Sequence, residues 1–153
     1  MVVPEILQSL YIVSAFLFQL ILVVYFALRK WRFETAIRYG WLVYALGIPA
    51  AGASVVLWLG GETWALWLGG LIYLIWAIFG YVVEYGQKIE WRIPVRWPIF
   101  VPYVALYLAT VMFYWFPLAL ITKPLWYGCA VLFVLSTVLN VTSHGRPATS
   151  GAC

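Results

Sequence analysis

Glu84 is the one acidic residue in this sequence that lies within a long apolar stretch, the 22-residue run from Trp64 to Tyr85. At about 100° per residue, one stripe of a helix over this run carries small and polar side chains. The stripe consists of Tyr73, Ala77, Gly80 and Glu84, with Gly70 at its edge. Lipid cannot satisfy a carboxylate or a phenol, so we expect this stripe to face protein or a cavity.

Two interpretations of Glu84 follow from its position near a helix end. A carboxylate there suits the binding of a proton, of a cation or of the basic group of a ligand. Alternatively, Glu84 pairs with Lys88 or Arg38 or reaches interfacial water, because charges cost least near the ends of a membrane helix. The sequence leaves both interpretations open.

Tyrosines recur on one face of the fourth apolar segment. Tyr103, Tyr107, Thr110 and Tyr114 are spaced about one helical turn apart. Such a face could line a groove whose aromatic walls stack on a flat or long apolar molecule. The alternative is that each hydroxyl only bonds a facing side chain or carbonyl of another helix.

Three other segments contribute a polar residue to the predicted groove: Gln19, Tyr44 and Asn140. The complete set of candidate ligand-binding residues is Gln19, Tyr44, Tyr73, Glu84, Tyr103, Tyr107, Tyr114 and Asn140.

The sequence offers little for other chemistry. His144 is the only histidine, and we expect it to be solvated just beyond a helix end rather than to carry protons or bind a metal. Cys129 and Cys153 are far apart, there is no aspartate, and no nucleophile or phosphate-loop motif is present. We therefore predict no metal, no cofactor and no catalytic residue, which argues against an enzyme.

Composition identifies an integral membrane protein. The 153 residues are 66% hydrophobic and 9% charged, whereas soluble domains carry roughly 25% charge. Nine of the ten tryptophans suit the two membrane interfaces, and only Trp76 lies deep in a span. The net charge of +4 comes from basic residues that flank apolar segments, so we do not expect nucleic-acid binding.

The hydropathy pattern predicts an all-α bundle of five transmembrane helices in one membrane domain, 1–153. The spans lie at about 6–28, 39–60, 64–85, 98–120 and 125–141, followed by a polar tail at 142–153. We expect a loop at 29–38. In the second span, Gly47 and Ala51 favour close helix packing, and Pro49 favours a kink.

Orientation follows from the nine Lys and Arg residues. Four lie at 29–38, three at 87–97 and one at 142–153, whereas the opposite side carries Lys123 alone. Cytoplasmic loops are rich in such residues, so we predict the N-terminus outside and the C-terminus in the cytoplasm of a plasma membrane or bacterial inner membrane.

Two functions of different classes remain open. The polar stripes could converge on a groove that binds or passes a small apolar or amphipathic ligand. Alternatively, they only join helices, and the protein is a non-catalytic accessory or assembly subunit of a larger membrane complex, or a homo-oligomer. Beyond the lipid bilayer, the sequence identifies no partner.

Overall fold

The computed structural model describes residues 2–89 and 94–143, with side chains from residue 5 onward. The expectations for His144 and for the tail from residue 144 lie outside these ranges.

Every regular element in the described ranges is helical. In chain order the elements are α1 (Val2–Trp31), α2 (Phe33–Tyr39), α3 (Trp41–Ala45), α4 (Gly47–Leu59), α5 (Trp64–Tyr81), a π-helical turn (Val82–Gly86), α6 (Trp97–Trp115), α7 (Leu118–Ile121) and α8 (Lys123–Ser143). They form five segments that are long and apolar enough to cross a membrane, which we number spans 1 to 5: Glu5–Trp31, Phe33–Leu59, Trp64–Gly86, Trp97–Ile121 and Lys123–Ser143. The prediction of five membrane-length helices is confirmed.

The predicted loop at 29–38 is wrong. Helix α1 continues through Arg29 and Lys30 to Trp31, and α2 begins at Phe33, so Arg32 alone separates the first two spans. The segment contains no glycine or proline and several good helix formers, so nothing in it stops a helix where the apolar residues end. At the other end of the chain, α8 continues to Ser143, beyond the predicted boundary at Val141.

Span 2 is broken near its middle, as Pro49 predicts. Helix α3 ends at Ala45, Leu46 forms a turn, and α4 starts at Gly47. Pro49 therefore lies in the first turn of α4, where a missing N–H costs little, and it cannot donate to the carbonyl of Ala45 four residues earlier. The break lies next to Tyr44.

The helices pack in a simple order around span 1. Helix α5 contacts α4 on one side and α6 on the other, and α1 packs along α8. The buried face of α1 has a spacing of three and four residues: Leu7, Tyr11, Ala15, Phe18, Leu22 and Phe26. The core of the bundle lies along this face.

Spans 2 and 3 approach each other closely through small residues. A Cβ atom added at Gly47 would lie 2.8 Å from the Cβ of Ala77. A Cβ atom at Gly70 would clash with Ser54 and with the carbonyl of Ala50. The small and polar stripe of span 3 thus faces the small face of span 2, and the predicted close packing of Gly47 is confirmed.

Replacing Gly47 by leucine should force these two spans apart. Overpacking of a tight interface typically costs about 1–3 kcal/mol, so the Gly47→Leu variant should have a clearly lower melting temperature in detergent. The matched control is Gly52→Leu, because Gly52 lies on the same helix and a Cβ there meets nothing within 4 Å. Equal melting of the two variants would contradict the interface.

Candidate functional site

A partly open cavity of about 800 Å³ lies at the end of the bundle where α1 meets α2. Every span contributes to its lining: Phe26 from span 1, Tyr44 from span 2, Glu84 from span 3, Tyr107 from span 4 and Asn140 from span 5. The lining also includes Tyr103. Five of the eight residues predicted from the sequence therefore meet here.

The polar centre of the cavity is a hydrogen-bonded group formed by Glu84, Tyr44 and Tyr103. The Tyr44 hydroxyl donates to Oε2 of Glu84 at 2.7 Å. It also lies 3.1 Å from the Tyr103 hydroxyl, within hydrogen-bonding distance. Tyr44 is 8% exposed, and the group links spans 2, 3 and 4. Hydrogen bonds to a carboxylate are stronger than those between neutral groups.

Gly80 allows this group to form. A Cβ atom at Gly80 would lie 2.9 Å from Cζ of Tyr44 and 3.1 Å from Cε2 of Tyr103. Both rings therefore cross the surface of α5 at the position where it has no side chain. Glu84 follows one turn later, within the π-helical turn Val82–Gly86. Turns of this kind are frequent at functional sites.

Trp76 forms an aromatic wall of the cavity. Its ring centroid lies 5.5 Å from that of Tyr44, 5.5 Å from that of Tyr103 and 5.8 Å from that of Tyr107. The side chain is 3% exposed, and its indole N–H finds no acceptor in the described part of the chain. In the sequence, Trp76 stands out because it lies near the middle of its span, whereas most other tryptophans lie near the ends of the spans.

Arg29 and Lys88 also line the cavity. From the sequence, Arg29 was interpreted only as a topology signal, whereas Lys88 was already a possible partner of Glu84. The position of Arg29 depends on the unexpected extension of α1. Lys88 is exposed and has a φ of 50°, the one positive φ of a non-glycine residue in the described ranges. Left-handed backbone at such a residue is uncommon and recurs at functional sites.

The cavity reaches the outer surface of the bundle between spans. Two of its lining residues are apolar and well exposed, Ile37 at 58% and Leu108 at 46%. Both side chains therefore lie where the cavity opens to the surface of the bundle.

Three predicted residues lie elsewhere, because their side chains point into helix contacts. Gln19 is fully buried, and its amide has no hydrogen-bond partner in the described ranges. The Tyr73 hydroxyl donates to the carbonyl of Val43. Tyr114 is buried, and its carbonyl accepts a hydrogen bond from the Tyr11 hydroxyl at 2.8 Å. The Tyr73 hydrogen bond therefore joins span 3 to span 2.

The chain matches no protein-family model, no curated protein and no solved structure. Within the described ranges, no group of three His, Cys, Asp or Glu side chains is placed to hold a metal ion.

Removing the Tyr44 hydroxyl should weaken the link between the three spans. Hydrogen bonds between membrane helices average about 0.6 kcal/mol, and those to charged groups reach roughly 1.5–3 kcal/mol. Tyr44→Phe should therefore lower the free energy of unfolding by about 1 kcal/mol. Tyr127→Phe is the control, because Tyr127 is 60% exposed. Reversible unfolding in mixed micelles measures both, and an unchanged value for Tyr44→Phe would contradict the bonded group.

Proposed function

We propose that this chain is a multi-pass membrane protein that binds a small amphipathic molecule in the cavity. The observation that carries the proposal is a cavity of about 800 Å³ that combines a bonded carboxylate with an apolar wall. Ligand sites of about 300–1,000 Å³, mostly apolar with a few placed polar groups, are the usual form for small molecules.

The distribution of polarity in the cavity supports an amphipathic ligand. Glu84, Tyr44 and Tyr103 offer a carboxylate and hydroxyls to a polar group. Leu22 and Val104 offer apolar contact to the rest of the molecule.

The surface opening beside Ile37 and Leu108 supports access from the bilayer. A ligand that partitions into lipid reaches this opening without crossing water, and its apolar part need not leave the membrane. This favours a molecule that already resides in the membrane over a water-soluble one.

We further propose that the cavity lies at the cytoplasmic face of a plasma membrane or bacterial inner membrane. Arg29 and Lys88 lie at its end of the bundle, and eight of the nine basic residues belong to that side in the sequence. The basic side of a membrane protein is typically cytoplasmic.

Filling the cavity should displace the ligand. Val104 lines the cavity, so Val104→Trp should place an indole in it and lower the amount of small molecule that co-purifies in mild detergent by at least about tenfold. Val101→Trp is the matched control, since Val101 lies one turn away on α6 and is 55% exposed. Mass spectrometry of the extracted protein gives the readout. If the purified parent protein carries no small molecule but co-purifies with other protein subunits, the assembly-subunit alternative is favoured.

Accessibility labelling tests the orientation. In a background with Cys153→Ser, a cysteine at Glu62 should react with a membrane-impermeant maleimide applied to intact cells, whereas a cysteine at Gln87 should react only after lysis. The two positions flank span 3 at opposite ends. Labelling of the Gln87 position from outside would reverse the proposed orientation.

A further inference from the structure

We infer that the first half of span 2, residues 33–45, is a lid that moves to admit the amphipathic molecule to the cavity. We call these residues, which form helices α2 and α3, the lid segment. The inference rests on the proposed function and adds how the site is reached. It follows from a joint at each end of the segment, from the cavities on its inner side, and from the hydrogen bond that holds it against span 3.

The lid segment has a joint at each end. Before it, Arg32 separates α1 from α2 with a non-helical backbone, φ −138° and ψ 68°. After it, α3 ends at Ala45, and Pro49 has no N–H to donate to the Ala45 carbonyl. Within it, Gly40 joins α2 to α3 with helical dihedral angles, φ −58° and ψ −29°. Hinges are commonly a few residues at the ends of helices, and proline is a usual cause of a helix kink. The segment can therefore move as one piece about these two joints.

The second joint is fixed in place by span 3. The Tyr73 hydroxyl donates to the carbonyl of Val43, four residues before the start of α4. Immediately after the joint, a Cβ atom at Gly47 would lie 2.8 Å from the Cβ of Ala77. Helix α4 then packs along α5 over its length, whereas α2 packs chiefly on α1. The second half of span 2 is thus anchored to span 3, and the lid segment is not anchored in the same way.

Cavities lie along the inner side of the lid segment. The cavity of about 800 Å³ is lined from the segment by Ile37, Gly40, Val43 and Tyr44. A second, smaller cavity of about 230 Å³ is lined by Phe33, Ala36 and Ile37 of the segment and by Glu84 and Tyr85 of span 3. Close-packed interiors resist displacement, because each movement costs many contacts. Between the lid segment and the end of span 3, much of the separation is cavity, so movement there costs fewer contacts.

The hydrogen bond from Tyr44 to Glu84 holds the lid segment in the closed position. Tyr44 belongs to the segment, and its hydroxyl donates to Oε2 of Glu84 at 2.7 Å. A second close approach occurs at Gly40, where an added Cβ atom would lie 2.8 Å from the Tyr85 hydroxyl. Both contacts join the segment to the π-helical turn Val82–Gly86. Loss of the Tyr44 bond should therefore favour the open position.

Movement of the lid segment would widen the opening of the cavity. Ile37 on the segment and Leu108 on α6 both line the cavity and are exposed. The opening therefore lies between a part of the bundle that can move and one that belongs to a long helix. Outward movement carries Ile37 away from Leu108 and admits the molecule. Return of Tyr44 to Glu84 closes the wall of the cavity behind it.

Distance measurements between spin labels test the movement. In a Cys153→Ser background, in which Cys129 is buried, labels at Arg38→Cys and Val101→Cys report the separation of the lid segment from α6. Tyr44→Phe should raise the ratio of open to closed protein about fivefold, the effect of losing one ordinary hydrogen bond. The matched pair Val56→Cys and Val101→Cys should keep one distance, because Val56 lies on α4. A single unchanged distance for the first pair in folded Tyr44→Phe overturns the inference.

Entry of a small probe tests whether the movement admits a molecule. Val104→Cys places a thiol in the cavity, and its rate of reaction with N-ethylmaleimide reports entry. Pro49→Ala restores an N–H at the second joint and should slow this reaction about fivefold, the effect of one backbone hydrogen bond. Gly52→Ala is the matched control on α4, where a Cβ atom meets nothing within 4 Å, and should leave the rate unchanged. An equal rate in Pro49→Ala and the parent overturns the inference, and this result does not depend on the folding of Tyr44→Phe.

The outcomes distinguish the lid from the proposed function. If Val104→Trp removes the small molecule that co-purifies but neither the distance nor the entry rate changes, the cavity remains a ligand site and the lid is overturned. If Val104→Trp removes nothing, the proposed function fails, and a role of the segment in admitting a ligand fails with it.

Discussion

The structure depends on the close approach of spans 2 and 3. Gly47 meets Ala77, Gly70 meets Ser54, and Gly80 accommodates the ring of Tyr44. Without a hydrophobic driving force between helices in lipid, such close backbone contact is a principal source of association. It also fixes the register of the two spans. The contact that holds spans 2 and 3 together therefore also brings the Tyr44 hydroxyl to the Glu84 carboxylate. A substitution that disturbs this interface should affect both the stability of the bundle and the geometry of the cavity.

Features that depend on one helix at a time could be predicted from the sequence. The five spans follow from uninterrupted apolar length, and the stripe that carries Gly80 and Glu84 follows from helical periodicity. The stripe had to face protein, because lipid offers nothing to a carboxylate, and it faces span 2. The break near Pro49 is equally local, since a missing N–H has its effect within one turn.

Features that depend on how helices meet could not be predicted. Tyr107 and Tyr114 share a face of α6, but Tyr107 lines the cavity, whereas Tyr114 is buried against span 1. Gln19 lies on the most buried face of α1, away from the cavity. The tilt and register between helices decide which polar residues meet in the cavity. The periodicity of a single helix carries no information on either. The place of Arg29 in the cavity lining was also not predicted, because α1 extends beyond its apolar stretch through residues that favour helix.

The pairing of α1 with α8 has a consequence for biogenesis. These helices are the first and fifth spans of the chain, and they pack along each other. A ribosome delivers the spans in order, so the side of α1 that packs on α8 stays uncovered by this chain until α8 arrives. The contact spans most of the sequence and is therefore slow to form. Nascent chains that stop before α8 should thus be substrates for membrane proteolysis or for chaperones that bind incompletely packed helices within the bilayer.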